Sequence, residues 1–216
     1  MKKIAVVVPA HDESALLPAC LRSLARATAP VPVEIIVVAD ACSDDTAALA
    51  AAAGATVVTT NARNVGLARA VGMDHALRHG PDGLWLATTD AGSVVPPEWL
   101  LWHLVHAQSG ADLLAGTVMV DDWAGWPAGL PGLHDSRYAA SNAPTHGANL
   151  GLSAAAYLTA GGFRPVAHDE DRGLIDQVRA AGGRVVVDAT CPVVTSVRPE
   201  GGTPVGSSAH LAGSAA

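Results

Sequence analysis

The sequence predicts an α/β domain built on a mainly parallel sheet covered by helices. Three observations predict it. Short, uninterrupted aliphatic runs, at residues 4–8, 33–38 and 84–88, have the form of strands buried on both faces. Stretches with helical spacing of apolar residues separate them, so that the chain reads β-α-β-α-β-α-β up to Thr88. Polar residues follow successive strands, and the carboxyl ends of parallel strands are where such sheets bind ligands.

Each element follows in order. Residues 4–8 form the first strand, which ends at Pro9; Ser14 is placed to cap a helix over 15–26, whose Leu16, Leu17, Cys20, Leu21 and Leu24 share a face. Residues 33–38 repeat the buried-strand pattern, and Asp40 to Asp45 lead into an alanine-rich helix over 46–53, stopped by Gly54. A third strand spans 56–60, a third helix 65–79, and a fourth strand 84–88 runs into Asp90. Pro96 and Pro97 precede a helix over 99–108, and 113–120 reads as one further strand before an irregular stretch over 121–144. Helices over 153–160 and 172–181 follow, the second ended by Gly182 and Gly183, then a strand over 184–187. The last residues, 199–216, are rich in Gly, Ser and Ala and are expected to form a flexible tail.

Composition narrows the function. The 216 residues are half hydrophobic and 15% charged, which suits one continuous core and excludes a disordered or fibrous chain. A formal charge of −7 argues against broad nucleic-acid binding, which needs a basic surface. Cys20, Cys42 and Cys191 are odd in number and lack CxxC spacing, so reduced thiols are expected rather than disulfides or a zinc site. The apolar run after Lys2 and Lys3 is too short for a signal peptide, and no run approaches the roughly 20 residues of a membrane helix. A soluble, cytoplasmic protein without a membrane segment is the expectation. Abundant alanine, with arginine outnumbering lysine, fits a GC-rich bacterial coding sequence.

Several common chemistries are missing. Pro9-Ala10-His11-Asp12-Glu13 stands where a dinucleotide-binding fingerprint would place its glycines; there is no Walker lysine and no G-x-S-x-G nucleophile elbow. What remains is a set of polar clusters after successive strands: His11-Asp12-Glu13, Asp40 to Asp45, Arg63-Asn64-Val65-Gly66 and Asp90-Ala91-Gly92-Ser93. Carboxylates and amides at one sheet edge can bond a base and ribose, and arginine can bond a diphosphate, without a glycine-rich phosphate loop.

In this order the clusters resemble the family 2 glycosyltransferases of the GT-A fold, from Ile4 to about Arg198. Val6 to Glu13 resembles the family's opening, Val37 to Thr46 its "VVDDGSTDDT" segment, Arg63 to Ala70 its N-x-G-x-x-x-A-R element, and Leu86 to Ser93 the strand with its D-x-D motif. Gly147-Ala148-Asn149-Leu150 with Ala160 to Phe163 resembles the acceptor-side segment, and Glu170-Asp171 with Gly182-Gly183-Arg184 resembles the E-D motif and the end of its helix.

The resemblance implies one GT-A domain over 1–198, with a nucleotide-binding half over 1–95 and an acceptor half over 96–198. It implies an enzyme that moves a sugar from a UDP- or GDP-sugar to a hydroxyl acceptor with inversion. On this likeness Pro9, Ala10, His11 and Glu13 border the nucleoside, Asp40 contacts the base, and Asn64, Gly66 and Arg69 lie near ribose or phosphate. Asp90 and Arg198 share the diphosphate, and Asp171 is the general base. Trp123, Trp126, His146, Asn149 and Glu170 are expected on the acceptor side. The compact acceptor half favours a small molecule over a polymer, and part of 121–144 could equally serve a homodimer.

Two positions depart from the family pattern. Ala39 replaces the first acidic residue of the second segment, and Gly92 replaces the second aspartate of D-x-D. Asp90 is then the one motif carboxylate left for Mn²⁺ or Mg²⁺, which would also need substrate phosphates and water. Gly92 is also compatible with a metal-independent enzyme, or with the first alternative, a nucleotide-sugar-binding protein that has lost transferase activity. A sugar-phosphate nucleotidyltransferase ranks below both, because its Arg- and Lys-bearing glycine-rich loop after the first strand is absent.

Plainer roles compete at single positions. Asp40, Asp44 and Asp45 could cap the second helix, and Glu170 and Asp171 could serve a helix N-terminus. Trp123, Trp126, His134 and Tyr138 could stack on an acceptor or pack their loop. His103 and His106 are expected on a solvated helix face.

Overall fold

The computed structural model describes residues 1–120, 146–166 and 168–196. The order is β1 (Lys3–Ala10), α1 (Leu17–Arg26), β2 (Val33–Asp40), α2 (Thr46–Ala52), β3 (Thr56–Thr60), α3 (Val65–Leu77), β4 (Leu84–Thr88), β5 (Ser93–Val94), α4 (Trp99–Gln108), β6 (Leu113–Ala115) and β7 (Val118–Val120). A 3₁₀ turn (Gly147–Asn149) follows, then β8 (Leu150–Ser153), α5 (Ala154–Ala160), α6 (Glu170–Ala180), β9 (Val185–Val187) and β10 (Val193–Thr195).

Seven strands make one sheet in the order β3-β2-β1-β4-β8-β6-β9. All neighbours are parallel except β8, which runs against both β4 and β6. Period-two alternation explains how β1 serves two cores. Ile4, Val6 and Val8 face one cluster with Leu17, Leu21, Trp99 and Leu100 from α1 and α4. Ala5 and Val7 face the other with Met73, Leu174 and Ile175 from α3 and α6. Gly72 lets α3 lie this close, since a Cβ there would stand 2.4 Å from Val7 Cγ1. A second sheet, β5-β10-β7, flanks the carboxyl ends of the first. No helix among the described residues is long and apolar enough to cross a membrane.

The elements differ from the sequence expectation in four respects. The stretch 113–120 is two strands in two sheets, because Gly116 breaks it where the Asn149 side chain fills the space; a Cβ at Gly116 would stand 2.2 Å from Asn149 Nδ2. Ser14 does not cap α1, which begins at Leu17 with Pro18 in its first turn; the Ser14 amide bonds Asp44 instead. α6 begins at Glu170, two residues before the expected start. β8, β5 and β10 were not foreseen, being too short for a periodic signal.

Candidate active site

The loops after β1, β2 and β3 are locked together at one sheet edge. Each contains a non-glycine residue in the left-handed region, Asp12 (φ 50°), Ala41 (φ 52°) and Arg63 (φ 47°), a conformation that costs about 1 kcal/mol and persists when surrounding bonds dictate it. Those bonds are present. The Asp12 carboxylate accepts from the amides of Ser43 (2.6 Å) and Asp44 (3.2 Å), and the Ser43 amide is the main reason its carboxyl lies below the ordinary aspartate value. Asp44 accepts from the amides of Ser14 and Thr46, both at 2.9 Å; against the upward pull of desolvation, hydrogen bonds from the side chains of Ser14 and Thr46, together with these amides, leave the Asp44 carboxyl far below its usual range. The Glu13 amide donates to Thr46 Oγ1 at 2.8 Å.

Asp40 ends β2, only 4% exposed, and its two carboxylate oxygens accept from the amides of Arg63 (2.8 Å) and Asn64 (3.0 Å). Its backbone oxygen lies 2.6 Å from His11 Nδ1; a carbonyl only accepts, so Nδ1 donates. Pro9 and Ala10 are buried at the end of β1, with the Cys42 thiol donating to the Ala10 carbonyl. Asn64 caps α3 by accepting from the Leu67 amide and ties the loop to the Val166 carbonyl.

The centre of the site is Arg69. Its guanidinium is 3% exposed and holds two carboxylates, Asp90 Oδ1 at 2.6 Å after β4 and Glu170 Oε1 at the start of α6. Burial works against the charge, but Asp90, Glu170 and Asp171 outweigh it and raise the Arg69 pKa. The Phe163 ring lies beneath, 5.9 Å from Cζ, and Gly147 packs on the guanidinium, where a Cβ would come within 2.5 Å of Cζ. Beside it, Asp171 accepts from the amides of Gly147 (Oδ2, 2.7 Å) and Arg172 (Oδ1, 2.7 Å). Asp169, in the left-handed region at φ 59°, precedes both acidic residues and turns the chain into α6.

A divalent cation fits this edge only in part. Asp90 is 32% exposed on its side chain and has one oxygen beyond the Arg69 pair; three carboxylates against one guanidinium leave the cluster negative, which favours a cation. Gly92 contributes no ligand, and a side chain there would meet Leu16 Cδ1 at 3.1 Å from its Cβ. Asp12, Cys42 and Asp44 bring ligand atoms within 4.8 Å of one another. Their carboxylates, however, are engaged by backbone amides, and desolvation raises the Cys42 thiol, so this group reads as loop lacing.

The expected acceptor residues are divided. Glu170 and Asp171 stand together, and His146 is half-buried immediately before Gly147. Asn149 is instead fully buried: its carbonyl oxygen accepts from Trp99 Nε1 and its amide donates to the Thr117 and Cys191 carbonyls, a cross-brace beneath the site. Trp123, Trp126 and Arg198 lie outside the described residues, as do His134, Tyr138 and the segment 199–216. His103 is not on a solvated face; it is fully buried against Trp85, Trp99 and Trp102, because α4 is apolar on most sides. In the sequence Gly147 and Phe163 are motif positions with no evident role; their contact with Arg69 joins residues far apart in sequence and leaves no local signal.

Comparison with known proteins identifies the family and the fold. The family model described as Glycosyl transferase family 2 matches residues 5–166. No curated protein matches the sequence. Among solved structures, S. aureus TarS 1–349 in complex with UDP-GlcNAc superposes with a TM-score of 0.72 at 20% identity, covering 94% of this chain and 60% of TarS 1–349. The mannosyltransferase PcManGT from Pyrobaculum calidifontis, in complex with GDP-Man and Mn²⁺, gives 0.69 at 19% identity, over 92% of this chain and 58% of its own. Glucosyl-3-phosphoglycerate synthase from Mycobacterium tuberculosis, with Mn²⁺, UDP and glucosyl-3-phosphoglycerate, gives 0.60 at 20% identity, over 94% of this chain and 73% of its own. At these identities the likeness is one of fold, and the chain spans about 60% of the length of the first two.

Proposed function

The chain belongs to glycosyl transferase family 2 and has the GT-A fold, and on that premise we propose that it transfers a sugar from a UDP- or GDP-sugar to a hydroxyl of a small-molecule acceptor, inverting the anomeric carbon. The observation that carries the reading is the placement of Asp171. Its carboxylate is anchored by the Gly147 amide in the first turn of α6, directly after Glu170, which Arg69 joins to Asp90. In this reading Asp171 takes the proton of the acceptor hydroxyl as that oxygen attacks the anomeric carbon from the face opposite the nucleotide. The bond from that carbon to the diphosphate oxygen breaks, and the nucleoside diphosphate leaves with the electron pair. A single displacement of this kind inverts the centre.

The donor side is assigned to Pro9, Ala10, His11 and Glu13 beside the nucleoside, with Asp40, Asn64 and Gly66 shaping its loop and Asp90 facing the diphosphate together with Arg198. Trp123, Trp126 and His146 are assigned to the acceptor. Nucleotide-sugar donors are supported by the UDP-GlcNAc of the TarS complex and the GDP-Man of the PcManGT complex. A divalent cation, when bound, offsets the charge growing on the leaving diphosphate. Asp90 would hold it through the oxygen that does not face Arg69. The expected compartment is the cytoplasm.

Calorimetric titration with UDP, GDP and their common sugar conjugates, each with Mn²⁺ and with EDTA, tests the donor; release of nucleoside diphosphate by wild type and by Asp171→Asn tests the chemistry. Failure of every nucleotide to bind would remove the reading. A second reading, a nucleotide-sugar-binding protein without turnover, is favoured by one observation, the absent carboxylate at Gly92. Donor binding with no release under any cation would select it.

A further inference from the structure

We infer that Arg69 is a positioning residue, which sets the Asp90 carboxylate on the donor side and Glu170, next to Asp171, on the acceptor side, and does not itself touch the donor. The inference rests on the reading above and departs from the expectation that Arg69 lies against ribose or phosphate.

The geometry carries it. Both terminal guanidinium nitrogens are engaged, one by each carboxylate, and Nε is buried with no hydrogen-bond partner among the described residues. Only 3% of the side chain is exposed, whereas the Asp90 side chain is 32% exposed above it. The approach of the partner backbones depends on two missing side chains. A Cβ at Gly147 would collide with the guanidinium, and a Cβ at Gly66 would stand 2.9 Å from the Arg164 carbonyl oxygen and 3.2 Å from Glu170 Cβ. Arg69 thus bridges the end of β4 and the start of α6, with the planar fork that two carboxylates require. A residue acting this way influences a ligand only through the groups it holds, so its effect on binding is not independent of theirs.

The test is a double-mutant cycle on nucleotide binding by the full chain, with UDP and GDP as probes, each in Mn²⁺ and in EDTA. Arg69→Met and Asp90→Asn are each expected to weaken binding by about tenfold, and the double variant to bind no more weakly than either single one. Losses that multiply in the double variant would show an independent donor contact and overturn the inference, as would an Asp90→Asn variant that binds like wild type. Arg69→Lys keeps the charge but cannot bridge two carboxylates; full recovery of binding by lysine would also overturn it. Arg69→Met leaves two acidic groups partly buried and unpaired. If it fails to fold, the cycle is run with Arg69→Lys, and melting curves confirm that each variant is native. Wild type that binds neither nucleotide would bring down the donor reading and this inference with it; binding by wild type with additive losses brings down the inference alone.

Discussion

Leu16 packs over Gly92: its Cδ1 lies 3.1 Å from where a Cβ would stand. The position at which the family's D-x-D pattern carries its second carboxylate is therefore empty of a ligand and covered by a leucine. In wild type, Mn²⁺ alone is expected to bind only weakly, because among the described residues the D-x-D position offers one oxygen of Asp90 and no ligand from Gly92.

Gly92→Asp with Leu16→Ala, which supplies the carboxylate and the space for it, is expected to tighten Mn²⁺-dependent nucleotide binding by about tenfold. Calorimetry with Mn²⁺ and with EDTA measures the difference between the two. No gain in Mn²⁺ dependence would mean that the diphosphate does not approach position 92.

Asp171→Asn is expected to lower donor turnover by about 10²–10⁴-fold, the range for loss of a general base, while nucleotide affinity is unchanged. The asparagine side-chain oxygen can still accept the Gly147 amide, and the Arg172 amide, which loses its acceptor, is exposed to water, so the fold is kept. Donor hydrolysis, in which water takes the acceptor's place, reads the effect before an acceptor is identified. Equal turnover by the variant would assign the proton transfer to another group.

Asp40→Ala removes the acceptor for two amides at the end of β2, those of Arg63 and Asn64, and Asp40 is 4% exposed. The expected loss is roughly 1–3 kcal/mol, since an unsatisfied buried group costs about 1–3 kcal/mol and these two amides are only partly buried. Urea unfolding gives the value. A loss under about 0.5 kcal/mol, as for an ordinary surface substitution, would show that the loop is held by other contacts.

His103 predicts a pH dependence with a definite sign. Desolvation, with a smaller effect of His106, pushes its pKa down to about 3 from an ordinary value of 6.5, so the folded protein keeps this imidazole neutral while the unfolded chain protonates it below 6.5. The unfolded state then binds more protons between those values, and stability falls as pH drops from 6.5 toward 3. His103→Phe, an aromatic of similar size among Trp85, Trp99 and Trp102, should flatten that part of the stability curve. An unchanged slope in guanidinium midpoints across this range would assign the acid sensitivity elsewhere.

Much of the fold was legible because β1, β2 and β4 are largely buried and the first three βα steps are regular. Runs such as Ile4 to Val8 have no other use, and Gly54 and Gly182 stand in the left-handed region just past the helices they were expected to end. The elements that escaped, β5, β8 and β10, are two to four residues long. Strands of that length are defined by the neighbour they bond, and nothing local marks them. The single strand expected over 113–120 failed for the same reason: the break at Gly116 is made by Asn149, a residue distant in sequence.

By itself the sequence determined which polar residues gather at the carboxyl edge of the sheet, because strand order and the position of each residue after its strand decide that. The tertiary structure decided what each of them does there. Asp40 and Asn64 became supports of a loop, Asn149 a buried brace, and Arg69 a bridge between Asp90 and Glu170. The physical reason is that a polar group's role depends on its burial and on which partner satisfies it, and both are fixed by contacts between segments that the chain brings together only when it folds.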